Sequence, residues 1–385
     1  MKNYAFLVFL SIILTIHFLV NYYIYHRGIQ WTSALPGLKT GFRVLMLLLV
    51  ISYPLGRFLE RIWYSPVSNT LHWIGAFWFA GMLYFTLLIF SADIIRILNY
   101  VFHFLPEKGS ESYIVLKKWS GIGIAATGLL IILGGFINAW TPKIQEYNLK
   151  VNKQVNGPKQ LRIVAASDIH LGTIIGPRKT QKLVKTINNL NPDIILFAGD
   201  VVDEDVGPVI RQNLGASLLQ LKAPLGVYAS TGNHEYIGGA DRSVKYLEEH
   251  GITVLRDSVA NIEDQFYLIG REDRDKRRSP GGDRKDIAEL IQNIDQSKPM
   301  IMLDHQPYHL EQAEKSNIDL QISGHTHHGQ LWPFGYITNK LFEVSRGYKQ
   351  KNQSHFIVST GFGTWGPPVR TGNRPEILVI TLNFE

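Results

Sequence analysis

Five short motifs in the second half of the chain carry side chains that bind hard cations. They are Asp168-Ile169-His170, Gly199-Asp200, Gly232-Asn233-His234-Glu235, a lone His305, and Gly324-His325-Thr326-His327. With His234 and Glu235 set aside, the inventory is two carboxylates, one amide oxygen and four imidazoles, and no thiolate, because the chain has no Cys. Such N and O donors suit Mn, Fe or Zn better than Cu(I) or an iron–sulfur cluster. Seven donors are too many for one catalytic ion that must keep an open position. They suit two divalent ions sharing a bridging carboxylate. Each motif alone also fits an ordinary turn with solvated side chains; it is their joint occurrence that points to a metal centre.

The elements that must position these residues follow from the same stretch of sequence. Apolar, β-branched runs at 161–166, 194–198, 227–231, 300–303 and 320–322 each end just before a motif. Strands that finish at one edge of a sheet bring distant loops together, and that edge is the usual place for a site. Between the runs lie helical stretches at 177–190, 207–221, 241–250, 284–294 and 308–315, and two more strand-like runs follow at 356–359 and 377–382. The alternation predicts an α/β domain with helices on the sheet faces.

In order, spacing and strand-end context the five motifs resemble the calcineurin-like metallophosphoesterase family, from about Leu161 to the C-terminus. The resemblance implies a four-layer αββα metallophosphatase sandwich. It implies that Asp168, His170 and His327 hold a first metal ion and Asn233, His305 and His325 a second, with Asp200 bridging them. Two divalent ions roughly 3.5–4 Å apart lower the pKa of a bridging water and clamp a phosphoryl oxygen. A phosphoester or pyrophosphate bond would then be hydrolysed by hydroxide, with no covalent enzyme intermediate. His234 would steady the transition state or protonate the leaving oxygen, work suited to imidazole near neutral pH. Glu235 either orients His234 or is simply an acid at a helix N-terminus.

The run 361–370 resembles the ending of a bacterial, membrane-associated subgroup of that family, some of whose members act on lipid or lipid-linked phosphates. Within it, Arg370 is a candidate substrate-binding residue, able to hold a phosphate oxygen bidentately. Trp332, Phe334, Phe362 and Trp365 would form an apolar lip beside the metals or, equally, pack a core.

The first 142 residues have another composition. No Lys, Arg, Asp or Glu occurs at 3–26, 62–92 or 119–142. Each stretch is long enough for a hydrocarbon core of roughly 30 Å at about 1.5 Å per residue. Residues 44–55 form a shorter apolar run that spans only if Arg43 and Arg57 snorkel to opposite faces. About four transmembrane helices are therefore expected over 1–142, with a polar linker at 143–160 and the metallophosphoesterase domain at 161–385. The first segment lacks a small-x-small cleavage site and reads as a retained anchor. Lys and Arg divide evenly between the two sets of loops, so the side of the membrane that carries the domain stays open.

The net charge of +7 fits membrane lipids as partners better than nucleic acid. The basic residues do not gather into one stripe with interleaved aromatics; the densest cluster, 271–284, is mixed with acids. The expected partners are a phosphorylated lipid or small-molecule substrate and the membrane itself. A nuclease or nucleotide phosphodiesterase of the same fold, and a non-catalytic membrane receptor or scaffold, are the alternatives.

Overall fold

A computed structural model describes residues 2–33, 35, 37–279 and 282–385. It divides into two compact units, Met1–Phe136 with Gly366–Val369, and Ile137–Trp365 with Arg370–Glu385.

The first unit is built from helices α1 (Lys2–Thr32), α2 (Leu38–Ile62), α3 (Pro66–Phe102) and α4 (Glu111–Ala139). Ser65 starts α3 sharply: its Oγ accepts from Ser68 N at 3.2 Å, and Pro66 fills a first-turn position that needs no N–H. Among the described residues α2, α3 and α4 are long and apolar enough to cross a membrane. The short run 44–55 thus belongs to a 25-residue helix that continues through Pro54. Two ion pairs lie within this unit, Arg27 of α1 with Asp93 of α3 and Arg57 with Glu60 of α2, each at 2.8 Å.

The second unit holds two six-stranded mixed sheets. The strands are β1 (Lys143–Val151), β2 (Gln160–Ala166), β3 (Ile194–Ala198), β4 (Val227–Ser230), β5 (Thr253–Leu255), β6 (Ser258–Ile262), β7 (Phe266–Gly270), β8 (Met300–Leu303), β9 (Leu320–Ser323), β10 (Gly347–Lys351), β11 (Ser354–Val358) and β12 (Glu376–Phe384). Their orders are β1-β12-β2-β3-β4-β5 and β10-β11-β9-β8-β7-β6. Period-two alternation drives the sandwich. Ile163 and Ala165 of β2, Leu196 of β3 and Ile380 of β12 share one buried cluster with Leu268, Ile301, Leu303, Ile322 and Ile357 of the other sheet. On the far face of the second sheet, Met300, Met302 and Phe356 pack with Leu290 and Leu310 from flanking helices. The helix Pro177–Asn189 likewise buries one stripe, Leu183, Val184 and Ile187.

One expected boundary changes. Residues 143–160, taken from their polarity as a linker, fold over their first half as β1, paired in parallel with β12 from Lys143↔Glu376 to Val151↔Phe384. An edge strand can leave alternate residues in water: Glu146, Asn148 and Lys150 are exposed, while Leu149 and Val151 on the other face enter the core.

Candidate metal centre

Strands β2, β3 and β4 run parallel in one sheet, and β8 and β9 run parallel in the other. All five motifs leave the C-terminal ends of these strands, as the apolar runs predict. The backbone is strained at the turns: Asp168, His170, Asp200, His325 and His327 all have positive φ, between 43° and 68°. Non-glycine residues in this region are uncommon and cluster where function demands a particular side-chain direction. Two motif glycines have the complementary role of admitting a neighbour. A Cβ on Gly232 would collide with Asp200 Oδ1, and one on Gly324 with Asp168 Oδ2.

Asp168, His170 and His327 come together at the first edge of the site, with ligand atoms within 4.8 Å of one another. His327 Nε2 lies 3.3 Å from Asp168 Oδ1 and 3.0 Å from His170 Nε2. At the other edge His305 Nε2 lies 3.1 Å from Asp200 Oδ2, and His325 Nδ1 lies 2.8 Å from Asn233 Oδ1. Asp200 Oδ2 is also 3.9 Å from His170 Nε2, so one oxygen reaches both groups.

The donors fit cations. His305 is fully buried, and its Nδ1 donates to Ala198 O at 2.8 Å. That leaves the Nε2 lone pair facing carboxylate oxygen, and Nε2 makes no hydrogen bond. Two lone-pair-bearing atoms brought face to face in a dry interior are costly unless a proton or a cation lies between them. Without cations, protons carry the charge: burial works against it, yet Asp200, Asp168 and Asp273 hold His305 well above the ordinary imidazole value. Burial would raise Asp200, but His305, His234 and His170 hold its carboxyl well below the usual range. His325 is pushed down to about 3 by burial and by His305. His327 is lowered by burial and by Arg370. Both are therefore neutral and competent to ligate.

His234 stands beside this set. Its N–H donates to Asp200 Oδ1 at 2.8 Å, its ring lies 4.5 Å from that of His170, and its Nδ1 is 3.0 Å from Asp203 Oδ1. Asp203 also lies 3.5 Å from His170 Nδ1. One acid thus holds both rings, and it lies outside the five motifs. The signal was present as Gly-Asp-x-x-Asp. Glu235 does not orient His234. It is buried and accepts from Gly232 N at 2.7 Å, Val202 N at 2.9 Å and Asp200 N at 3.1 Å, tying the Asp200 and Asn233 turns together.

Arg370 is a correction. Expected to meet substrate, it is fully buried. Its guanidinium donates to Thr360 O at 2.8 Å, Gly363 O at 2.7 and 3.1 Å, Asn373 Oδ1 at 2.6 Å and His327 Nδ1 at 3.0 Å. All its nitrogens are engaged, so it positions His327 and the 360–373 loop instead of a phosphate. Of the four aromatics, Phe362 packs in the core: it is fully buried, with Lys179 Nζ 5.4 Å from its ring, while Trp332, Phe334 and Trp365 are exposed. Arg370→Lys keeps the charge but cannot span these acceptors. We expect it to weaken the binding of one metal ion by about 10–100-fold, the usual cost of losing a partner that orients a ligand. Chelator competition measures this, and wild-type affinity for both ions in the variant would free Arg370 for a role in substrate binding.

His328, which follows the last motif, is buried and its Nδ1 lies 2.9 Å from Ser345 Oγ.

Carboxylates and imidazoles gathered at parallel strand ends of a two-sheet α/β domain define a metallohydrolase. A model of the calcineurin-like phosphoesterase family matches residues 161–329. An uncharacterised metallophosphoesterase of Aquifex aeolicus is 32% identical over 258 residues, 66% of this chain and 97% of that protein. A transmembrane protein with metallophosphoesterase domain from Danio rerio is 30% identical over 331 residues, 82% of this chain and 75% of that protein. An uncharacterised metallophosphoesterase of Campylobacter jejuni is 26% identical over 380 residues, 98% of each chain. The chain belongs to the calcineurin-like phosphoesterase family, whose members are divalent-metal-dependent phosphoester hydrolases.

Proposed function

We propose that the protein is a multi-pass membrane enzyme that hydrolyses a phosphoester or pyrophosphate bond at a dinuclear metal centre, with a lipid or lipid-linked phosphate as substrate. The observation that carries the dinuclear reading is Asp200 Oδ2, within 3.1 Å of His305 Nε2 and 3.9 Å of His170 Nε2. In this reading Asp168, His170 and His327 hold one ion, Asn233, His305 and His325 the other, and Asp200 both. Bound there, a pair of divalent ions supplies activation of the attacking water and neutralisation of the phosphoryl oxygens. The chain supplies the rest. Asp203 fixes the His234 ring, which donates a proton to the leaving oxygen, and Glu235 holds the two turns in register. The test is metal content together with turnover of bis(p-nitrophenyl) phosphate by the purified full chain. A protein that binds two ions and hydrolyses nothing would be a receptor or scaffold.

The lipid reading rests on exposed apolar surface beside the centre. The Trp365 ring lies 6.4 Å from that of His234, and Trp332, Phe334, Tyr336, Ile337 and Leu341 are exposed in the segment that follows His327. Apolar area of this kind on a domain covalently joined to membrane-length helices favours a substrate with an acyl or prenyl body. A lipid chain that covers ~50–100 Å² of Trp365 gains about 1.3–2.5 kcal/mol at ~25 cal/mol per Å². We expect Trp365→Ala to raise KM for a lipid-linked phosphate in micelles by about 10- to 60-fold and to leave KM for bis(p-nitrophenyl) phosphate much less affected. Equal changes on both substrates would return the nucleotide and nuclease readings.

A further inference from the structure

The basic cluster at 271–284 did not enter the functional reading, and the structure divides it into two kinds of residue. Arg271 and Arg284 clamp Asp304, the neighbour of His305, at 2.9 and 2.7 Å. Lys276 pairs with Asp257 at 2.9 Å and Arg278 with Asp275 at 3.2 Å. Among the described residues Arg274 and Arg277 make no ion pair. Both line a pocket of about 310 Å³ whose wall also includes Asn233 and His325 of the metal centre. Arg274 stacks its guanidinium over the Tyr308 ring at 4.7 Å, and its Nη1 is enclosed without a hydrogen-bond partner. A shielded guanidinium N–H left unpaired costs free energy that an anionic ligand recovers.

The segment that carries these arginines, the 3₁₀ helix Arg274–Arg278, is held to the metal loops at its start. Asp273 caps it, accepting from Asp275 N at 2.8 Å. Asp273 N donates to Thr231 Oγ1 at 3.1 Å, and Gln306 Nε2 donates to Asp273 Oδ1 at 2.9 Å. Thr231 and Gln306 adjoin the Asn233 and His305 motifs, so the arginines are registered against the centre and are not a loose solvated face. Asp275 also lines the pocket but is occupied by Arg278. The wall therefore keeps an excess of two positive charges.

We propose that Arg274 and Arg277 form a subsite for a second phosphate group of the substrate, next to the phosphoryl group that is cleaved. This deepens the reading above and rests on it: the protein acts on a phosphoanhydride or bisphosphate in preference to a simple phosphoester. At about 310 Å³ the pocket sits at the lower end of small-molecule sites, room for a charged headgroup and not for a lipid body. A lipid-linked diphosphate and a nucleotide diphosphate present the same chemistry to it.

The experiment compares kcat/KM of the metal-loaded full chain on three substrates: bis(p-nitrophenyl) phosphate, a polyprenyl diphosphate in micelles and a nucleoside diphosphate sugar. Wild type prefers one of the diphosphates, and which one identifies the source. In Arg274→Gln and Arg277→Gln, and most in the double variant, that preference ratio falls about 10–100-fold, the worth of charge-assisted hydrogen bonds. Calorimetric titration with methylenediphosphonate and with methylphosphonate reads the same ratio without turnover. Arg277 is exposed and makes no ion pair among the described residues, so its variant keeps the fold whatever becomes of Arg274. Failure to hydrolyse any of the three substrates would overturn the phosphoesterase reading itself. Turnover with an unchanged ratio in the double variant would overturn only the subsite. Inhibition by single-stranded DNA that disappears with the arginines would overturn it in favour of a nucleic-acid groove.

Discussion

Asp200→Ala is expected to abolish turnover and to release both metal ions, each affinity falling by more than about 100-fold. The estimate is a lower bound, because even a partner that only orients a ligand is worth about 10–100-fold, and Asp200 is placed to ligate twice. Its Oδ2 is 3.1 Å from His305 Nε2 on one side and 3.9 Å from His170 Nε2 on the other. Its Oδ1 accepts from His234 N at 2.8 Å, which fixes the carboxylate plane. The nearest replacement, Asp203, is already committed to His234 and His170 at 3.0 and 3.5 Å and cannot swing in without releasing both rings. Asp200→Asn separates charge from shape: the amide oxygen can keep the bond from His234 N, but no anion remains to offset two cations. Metal content after gel filtration, measured by inductively coupled plasma mass spectrometry, decides the matter. Two ions per chain in Asp200→Ala would mean that the centre is organised around another carboxylate.

What the sequence made legible and what it hid divide along a physical line. Motif, strand and edge could be read because a strand ends where its apolar run ends, and the residues that follow must sit at the edge of the sheet. Partners set by folding could not. Arg370 looks like a phosphate hand in a glycine-rich run, yet burial turns it inward to His327 Nδ1 at 3.0 Å, where its remaining donors find carbonyls. Phe362 and Trp365 stand three residues apart in the same run and have opposite fates, one buried and one exposed, because only the three-dimensional loop decides which ring finds Lys179. Strand β1 was missed for a different reason. Its partner is β12, more than two hundred residues away, and an edge strand with one wet face resembles a polar linker until that pairing is known. Arg274 and Arg277 were visible as charge but not as a subsite, since only the ion pairs of Arg271, Lys276, Arg278 and Arg284 separate them from the rest of the cluster.

His234→Ala is expected to lower kcat by about 10²–10⁴-fold, the usual worth of a general acid, with both ions retained. The ring contributes no atom to the Asp168 or Asp200 groups, and the bond to Asp200 comes from the His234 backbone, which alanine keeps. Burial opposes its protonation, but Asp200, Asp203 and Glu204 outweigh burial and raise its pKa to about 10. Cations bound to Asp200 would offset part of that field and bring the value down, so the ring is protonated below its working pKa and loses its proton above it. Activity that depends on the acid form falls as pH rises through that pKa. The alkaline limb of the kcat profile should therefore move to lower pH in Asp203→Asn, which removes one raising partner, and vanish in His234→Ala. Leaving groups give a second, independent readout. A p-nitrophenolate departs without a proton, whereas an alkoxide needs one, so the variant should lose far more activity on an alkyl ester than on the aryl one. Equal losses on the two esters would assign His234 to charge stabilisation of the phosphoryl group instead of proton donation, and loss of an ion would make it a ligand.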